Sequence, residues 1–229
     1  MRFRECFVFA IILGTFGCSP NSEQSVAPTL ASSNAVENPM AQLPPSAAPS
    51  IATPNDSIES DVISWVPESS MDSLLGPPEI IEGFFIRPPA GYSGMVAPGT
   101  PQGAMTKVWK GEARPDGTSP SIQLMLMSPP LSNSIPNVEV GVRKALDGLQ
   151  RIRANWTESP VTRGTLHGVD FSRVTWTGNH KALGTKMQGV IYIAMLNGVF
   201  IQLSTQDLDI HANESSKLCE SSLKTFAKN

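Results

Sequence analysis

The sequence predicts an α+β domain: an antiparallel-rich β-sheet flanked by two main helices (an α/β/α sandwich), preceded by a disordered linker. Three observations carry that expectation. MQGVIYIAML and VFIQLST flank Asn197-Gly198, the preferred dipeptide of a type I′ hairpin turn. Val138, Val142, Leu146, Leu149 and Ile152 recur at the steps of one helix face. Residues 19–75 contain no Lys or Arg and seven acids, and hold no apolar period for long.

The elements follow in chain order. From Ser19 to about Leu75 the composition is dominated by Ser, Ala, Pro and Asn, which buries too little apolar surface to offset chain entropy. Residues 18–78 are therefore expected to form a tether that holds the domain about 40 Å from its anchor. ISWVPESSMDSLL, residues 63–75, is more apolar and reads as a partly ordered lead-in or a short docking segment. A single domain is expected over residues 79–229. GFFIRPPAGY gives a strand from Phe84 to Arg87, stopped by Pro88-Pro89 and turned at Ala90-Gly91. MTKVWKG and SIQLMLM, residues 105–111 and 121–127, form the next two strands, with Pro115-Asp116-Gly117 turning the chain between them.

The long helix starts after Asn137, a good N-cap, and Pro136 bars its extension backwards. Gly141 and Gly148 weaken it by up to about 1 kcal/mol each relative to Ala, unless they mark close packing on the sheet. Two strands follow in residues 160–178. Because the apolar positions change phase between Phe171 and Val174, a bulge is expected there. In the Asn197-Gly198 hairpin, Val190, Tyr192, Ala194, Leu196, Val199, Ile201 and Leu203 share one face, and Ile191, Ile193, Met195 and Phe200 the other. Strands apolar on both faces belong in the middle of a covered sheet. A second amphipathic helix, roughly Asn213 to Ala227, closes the chain.

The amino terminus has its own logic. Arg2 and Arg4 precede an uncharged run from Phe7 to Phe16, followed by Gly17 and Cys18. That is the layout of a secretory signal over residues 1–17, too short to span a membrane. The apolar run ending in Gly17-Cys18 resembles the lipobox of bacterial lipoproteins. Thr15 and Phe16 depart from the usual Leu and Ala or Ser, and an ordinary cleaved signal is the alternative. The resemblance implies lipidation of Cys18, export to the cell envelope and anchoring to a bacterial membrane; Ser19 after the cysteine points by analogy to the outer membrane. Only Cys219 then remains a thiol, so the mature chain has no internal disulfide.

Taken together, FFIRPPAGY, the central amphipathic helix, the Asn-Gly hairpin and a final helix ending in LKTFAKN resemble the PsbP and Mog1-like α/β/α sandwich families over residues 79–229. The resemblance implies a binding or accessory module and supplies no catalytic residue.

The chemistry available in the sequence points the same way. His167, His180 and His211 share no metal-ligand spacing, so no metal site is expected. Met125-x-Met127 puts two thioethers on one strand face, where core filling is the commoner use. Gly91-Tyr92-Ser93-Gly94 lacks the last Gly of a nucleophile elbow, which leaves Ser93 a turn residue. Cys219 lies on an apolar stripe as a buried thiol. No cofactor is expected. The net charge is −3 for the whole chain but +3 over residues 76–229, too little basic charge for a nucleic-acid binder. Arg143, Lys144, Arg151 and Arg153 give the long helix a basic outer surface, which would meet an acidic envelope protein or polymer or simply be solvated.

The sequence therefore reads as a lipid-anchored, non-enzymatic envelope protein whose domain docks to another envelope protein or complex. The alternative is an apolar small-molecule or lipid carrier with a cavity between sheet and helix, and a third reading is hydrolysis at an unrecognised site such as Ser93.

Overall fold

Residues 63–98 and 100–229 are described by a computed structural model of the protein. The expected signal, the lipidation site Cys18 and the tether up to residue 62 lie outside the described residues. The strands are β1 (Ile63–Ser64), β2 (Glu79–Ile81), β3 (Phe84–Ile86), β4 (Ser93–Val96), β5 (Ala104–Lys110), β6 (Ser121–Met127), β7 (Arg153–Glu158), β8 (Thr162–Leu166), β9 (Val169–His180), β10 (Lys186–Leu196), β11 (Val199–Leu208) and β12 (Ala227–Lys228). The helices are α1 (Val138–Ile152) and α2 (Ala212–Leu223).

The main sheet runs β1-β8-β9-β10-β11-β6-β5-β4, with β7 paired to β9 further along the edge that β8 occupies. Its pairings are antiparallel except the parallel β1–β8 ladder. A small second sheet, β12-β3-β2, lies apart from it. The α/β/α sandwich follows from what each face buries. Val142, Leu146 and Leu149 of α1 pack on Val174, Trp176, Ile191, Ile193 and Phe200. On the opposite face, Cys219 and Leu223 of α2, with Phe226, Phe84 and Ile86, pack on Trp109, Val190, Tyr192 and Leu203.

Local chemistry explains the elements. Asn137 caps α1, its side-chain oxygen accepting from the Val140 N–H at 2.9 Å. Gly141 is there for contact: a Cβ on it would sit 2.7 Å from the Phe200 ring, so the helix rides close on β11. The two faces of the hairpin divide as the alternation predicts, Val190, Tyr192, Ala194, Ile201 and Leu203 going to the α2 side and Ile191, Ile193 and Phe200 to the α1 side. Asn197 and Gly198 have φ of 51° and 78°, the paired positive values of a type I′ turn.

Three expectations need correction. No bulge separates Phe171 from Val174, because β9 keeps continuous register with β10. Phe171 serves the α2-side core and Val174 and Trp176 the α1-side core, so the apparent change of phase records a strand buried on both faces. The irregularity lies in its partner, between Ala154 and Thr157 of β7. The last helix ends at Leu223, earlier than expected, and the chain returns as β12 against Phe84 and Phe85. Finally, residues 63–78, assigned above to the tether, belong to the folded unit. Ile63 and Ser64 pair with Gly164 and Thr165, Trp65 meets Tyr192 edge-on at 5.2 Å, Leu75 is buried, and the Glu68 N–H donates to Ser221 Oγ at 3.2 Å.

Candidate functional site

The ends of β9 and β11 and the start of β10 meet the first turns of α2 around a cavity of about 340 Å3. Trp176, Gln188, Gly189, Thr205, Ser216 and Glu220 are among its lining residues. Two carboxylates stand in its wall, Asp207 buried and Glu220 partly buried, and each is already matched. Asp207 accepts two bonds from Arg114 at 2.7 Å each, one from the Leu208 N–H at 2.8 Å and one from Ser215 Oγ. Glu220 accepts from Arg173 Nε at 3.0 Å and from Tyr192 OH at 2.6 Å. Burial works to raise the Glu220 pKa, but the hydrogen bonds and charge of Arg173, with Tyr192 and Lys224, outweigh it and hold the carboxyl below its ordinary value. Carboxylates so engaged act as structural anchors and leave little freedom for proton abstraction.

Cys219 also lines this cavity, 2% exposed, with Sγ 3.4 Å from Tyr92 OH. Burial pushes its thiol up to about 11. Only the thiolate reacts, so at pH 8 native protein should take up iodoacetamide at Cys219 at least about 100-fold more slowly than unfolded protein. Peptide mass mapping with and without denaturant measures that ratio, and equal rates would contradict the packing.

The four cations of the expected basic surface are not brought together. Arg143 is exposed but pairs with Asp147 at 3.0 Å and Glu158 at 3.1 Å, and Lys144 Nζ donates to the Ser134 carbonyl at 2.8 Å. Arg151 remains exposed. Arg153 lies past the helix: the chain turns extended there, with φ −118° and ψ 146°, and the side chain is only 2% exposed. The sequence did carry a signal for this. Arg153 follows Leu149 by four residues and Leu146 by seven, which places it in phase with the apolar stripe rather than with Arg143.

The remaining candidates disperse. His167 sits in the β8–β9 turn, His180 accepts from the Leu183 N–H at 3.3 Å, and His211 Nε2 is 3.1 Å from Asp116. Among the described residues no three of His, Cys, Asp and Glu gather as metal ligands. Met125 and Met127 pack in the α1-side core. Ser93 opens strand β4 rather than sitting in a turn.

Sequence reasoning missed β4 itself. Among the described residues it ends the main sheet, pairs only with β5, and is exposed at all four positions, with Met95 at 53% and Val96 at 64%. Its only sequence signal is GMVAP, a short uncharged run between Ser93 and the turn at Pro98. Among the described residues no helix is long and apolar enough to cross a membrane.

No protein-family model matches this sequence, and no curated protein sequence matches it. Solved structures are similar to it in fold. Cyanobacterial PsbP (CyanoP) from Synechocystis sp. PCC 6803 is 12% identical with a TM-score of 0.48, over 67% of this chain and 92% of that one. A protein from Bacteroides thetaiotaomicron VPI-5482 is 11% identical with a TM-score of 0.43, over 67% and 48%. LpqN of Mycobacterium tuberculosis, involved in cell envelope biogenesis, is 14% identical with a TM-score of 0.42, over 66% and 84%.

Proposed function

We propose that this chain is a lipid-anchored, non-enzymatic envelope protein whose domain works by docking onto another envelope protein. The observation that carries the docking is strand β4. A sheet edge is a row of unpaired main-chain donors and acceptors, and folded proteins blunt it with charge, proline or cover. Ser93-Gly94-Met95-Val96 carries no charge and no proline, and Met95 and Val96 stand open. A partner strand laid along it would extend the sheet, main-chain bonds giving affinity and these two side chains specificity. The anchoring rests on the charged, apolar and Gly17-Cys18 layout of the amino terminus.

The test is native mass spectrometry of the full-length protein extracted from its own membrane in mild detergent. The expected species begins at Cys18, carries acyl chains and holds a stoichiometric protein companion. Met95→Lys with Val96→Lys should lose the companion without changing the melting temperature by more than about 2 °C, since both positions are on the surface. A wild-type chain that flies alone would defeat the docking, and an unmodified mass starting elsewhere would defeat the anchor.

A second reading, a carrier, is favoured by the cavity beside α2. Its lining mixes Thr, Gln and Ser with Trp176, Val190, Ala212 and Cys219, which suits a small molecule with both an apolar body and polar groups. A small molecule retained by the lone lipidated chain would support it.

A further inference from the structure

Behind the sheet from that cavity, between the last turn of α1 and the strands, several buried N–H donors have no acceptor among the described residues. Arg153 has Nε and Nη1 buried without a hydrogen-bond partner among the described residues, and its Nη2 reaches only Gln206 Oε1, at 3.4 Å. Trp176 Nε1 and Gln123 Nε2 are likewise buried without an acceptor. Gln123, Trp176 and Gln206, with Ser121, Leu149 and Gln202, line one cavity of about 20 Å3. Arg153 lies against two of these residues, bonding Gln206 and stacking its Cζ 5.5 Å from the Trp176 ring. Trp176 also stacks on Trp156 at 5.4 Å, which helps fix the ring beside the guanidinium.

None of the ion pairs among the described residues includes Arg153. A buried guanidinium has no neutral form to retreat to near neutral pH, so its charge has to be compensated. Water would satisfy hydrogen bonds but neutralise nothing, whereas an anion would accept from these donors and offset the guanidinium charge. The space holds about one or two atoms the size of a water oxygen. That excludes phosphate, nucleotides and acidic sugars.

We infer that this cavity is a binding site for a small monovalent anion of halide size, held by Arg153 together with Trp176 and Gln123. The site is separate from the β4 edge and shares Trp176, Thr205 and Gln206 with the wall of the cavity beside α2. Because the ion would tie the start of β7, where the chain leaves α1, to the carboxy-terminal half of β9 and to β6, its occupancy adds to the stability of the α1 side of the sheet.

The test is thermal unfolding of the full-length protein at constant ionic strength, with chloride or bromide replaced stepwise by gluconate, which is too large to enter. At roughly ten times the dissociation constant or more, the halide should raise the melting temperature by about 3–5 °C. Arg153→Met should abolish that shift and be at least as stable as wild type in gluconate, because it removes the uncompensated charge. Arg151→Met, which changes an exposed cation two residues away, should keep the shift. Crystals soaked in bromide should show an anomalous peak within hydrogen-bonding distance of Arg153, a readout that stands even if Arg153→Met fails to fold. A melting temperature indifferent to the anion, a shift that survives in Arg153→Met, or a bromide peak only on the surface would each overturn the site.

Discussion

Gly189→Ala should destabilise the domain by at least about 3 kcal/mol, and Gly189→Val should prevent it from folding. Gly189 sits in β10, with a central neighbour on either side. A Cβ built on it would lie 2.0 Å from the Thr205 carbonyl oxygen of β11 and 2.9 Å from Cζ2 of Trp176 in β9. The first contact is with backbone and cannot be relieved by a rotamer; the second presses on a ring held by Trp156 and Arg153. Relief therefore requires two central strands to part. Gly164 makes the informative comparison. Its Cβ would lie 2.3 Å from the Ile63 carbonyl, an equally impossible distance, but β1 is a two-residue strand at the sheet's other end. Gly164→Ala should peel β1 away with Trp65 and cost only about 1–2 kcal/mol. Urea unfolding of both variants measures the difference, and a Gly189→Ala loss below about 1 kcal/mol would contradict the sheet packing.

Arg173→Met should cost about 2–4 kcal/mol at neutral pH, because it strands a carboxylate rather than because it deletes an ion pair. Arg173 and Glu220 side chains are 24% and 22% exposed, so solvent screens part of the attraction and the lower half of that range is the better guide. Without Arg173, burial dominates Glu220, and Tyr192 OH with Lys224 is what remains beside it. Glu220→Gln in the Arg173→Met background should recover much of the loss. The pH dependence gives an independent check. With Arg173 present, the folded-state pKa of Glu220 is depressed, so its stabilisation is full above the unfolded carboxyl value, near about 4.3, and is lost as pH falls through the lower folded value. In Arg173→Met the burial effect raises that pKa, and the variant regains stability on protonation. The gap between wild type and variant should therefore shrink from pH 7 towards pH 4. A gap that stays constant would mean that Glu220 is not the group left exposed to the penalty.

The sequence made the central layers legible because their residues obey one strong periodicity each. The α1 stripe, the N-cap Asn137 and both faces of the Asn197-Gly198 hairpin are where alternation and helical phase place them. What escaped was set by pairing at a distance. Ile63-Ser64 and Ala227-Lys228 are strands only because Gly164-Thr165 and Phe84-Phe85 await them, and two residues cannot display a period. The turns at Glu82-Gly83 and His167-Gly168 share the positive φ of Asn197-Gly198 but lack the Asn-Gly signature. β9 misled because strict alternation assumes one buried face, while Phe171 and Val174 answer to different cores. Of the candidate site, the expectation of a cavity beside a helix was readable in outline. The inward turn of Arg153 was present in the helical phase but hidden by grouping cations by charge instead of by angle.

The strand order also sets when this chain can fold. β6 has β11 as its second neighbour, and β3 closes against β12, the last of the described strands. The α2-side core joins Phe84 and Ile86 of β3 to residues as far as Phe226, and the α1-side core joins Met125 of β6 to Ile191, Ile193 and Phe200. A chain emerging amino terminus first, from a ribosome or through a membrane pore, thus cannot complete the α1-side core until Phe200 is free, nor the α2-side core until Phe226 is. Such non-local topology folds in about milliseconds to seconds once complete, and until then keeps the polypeptide threadable.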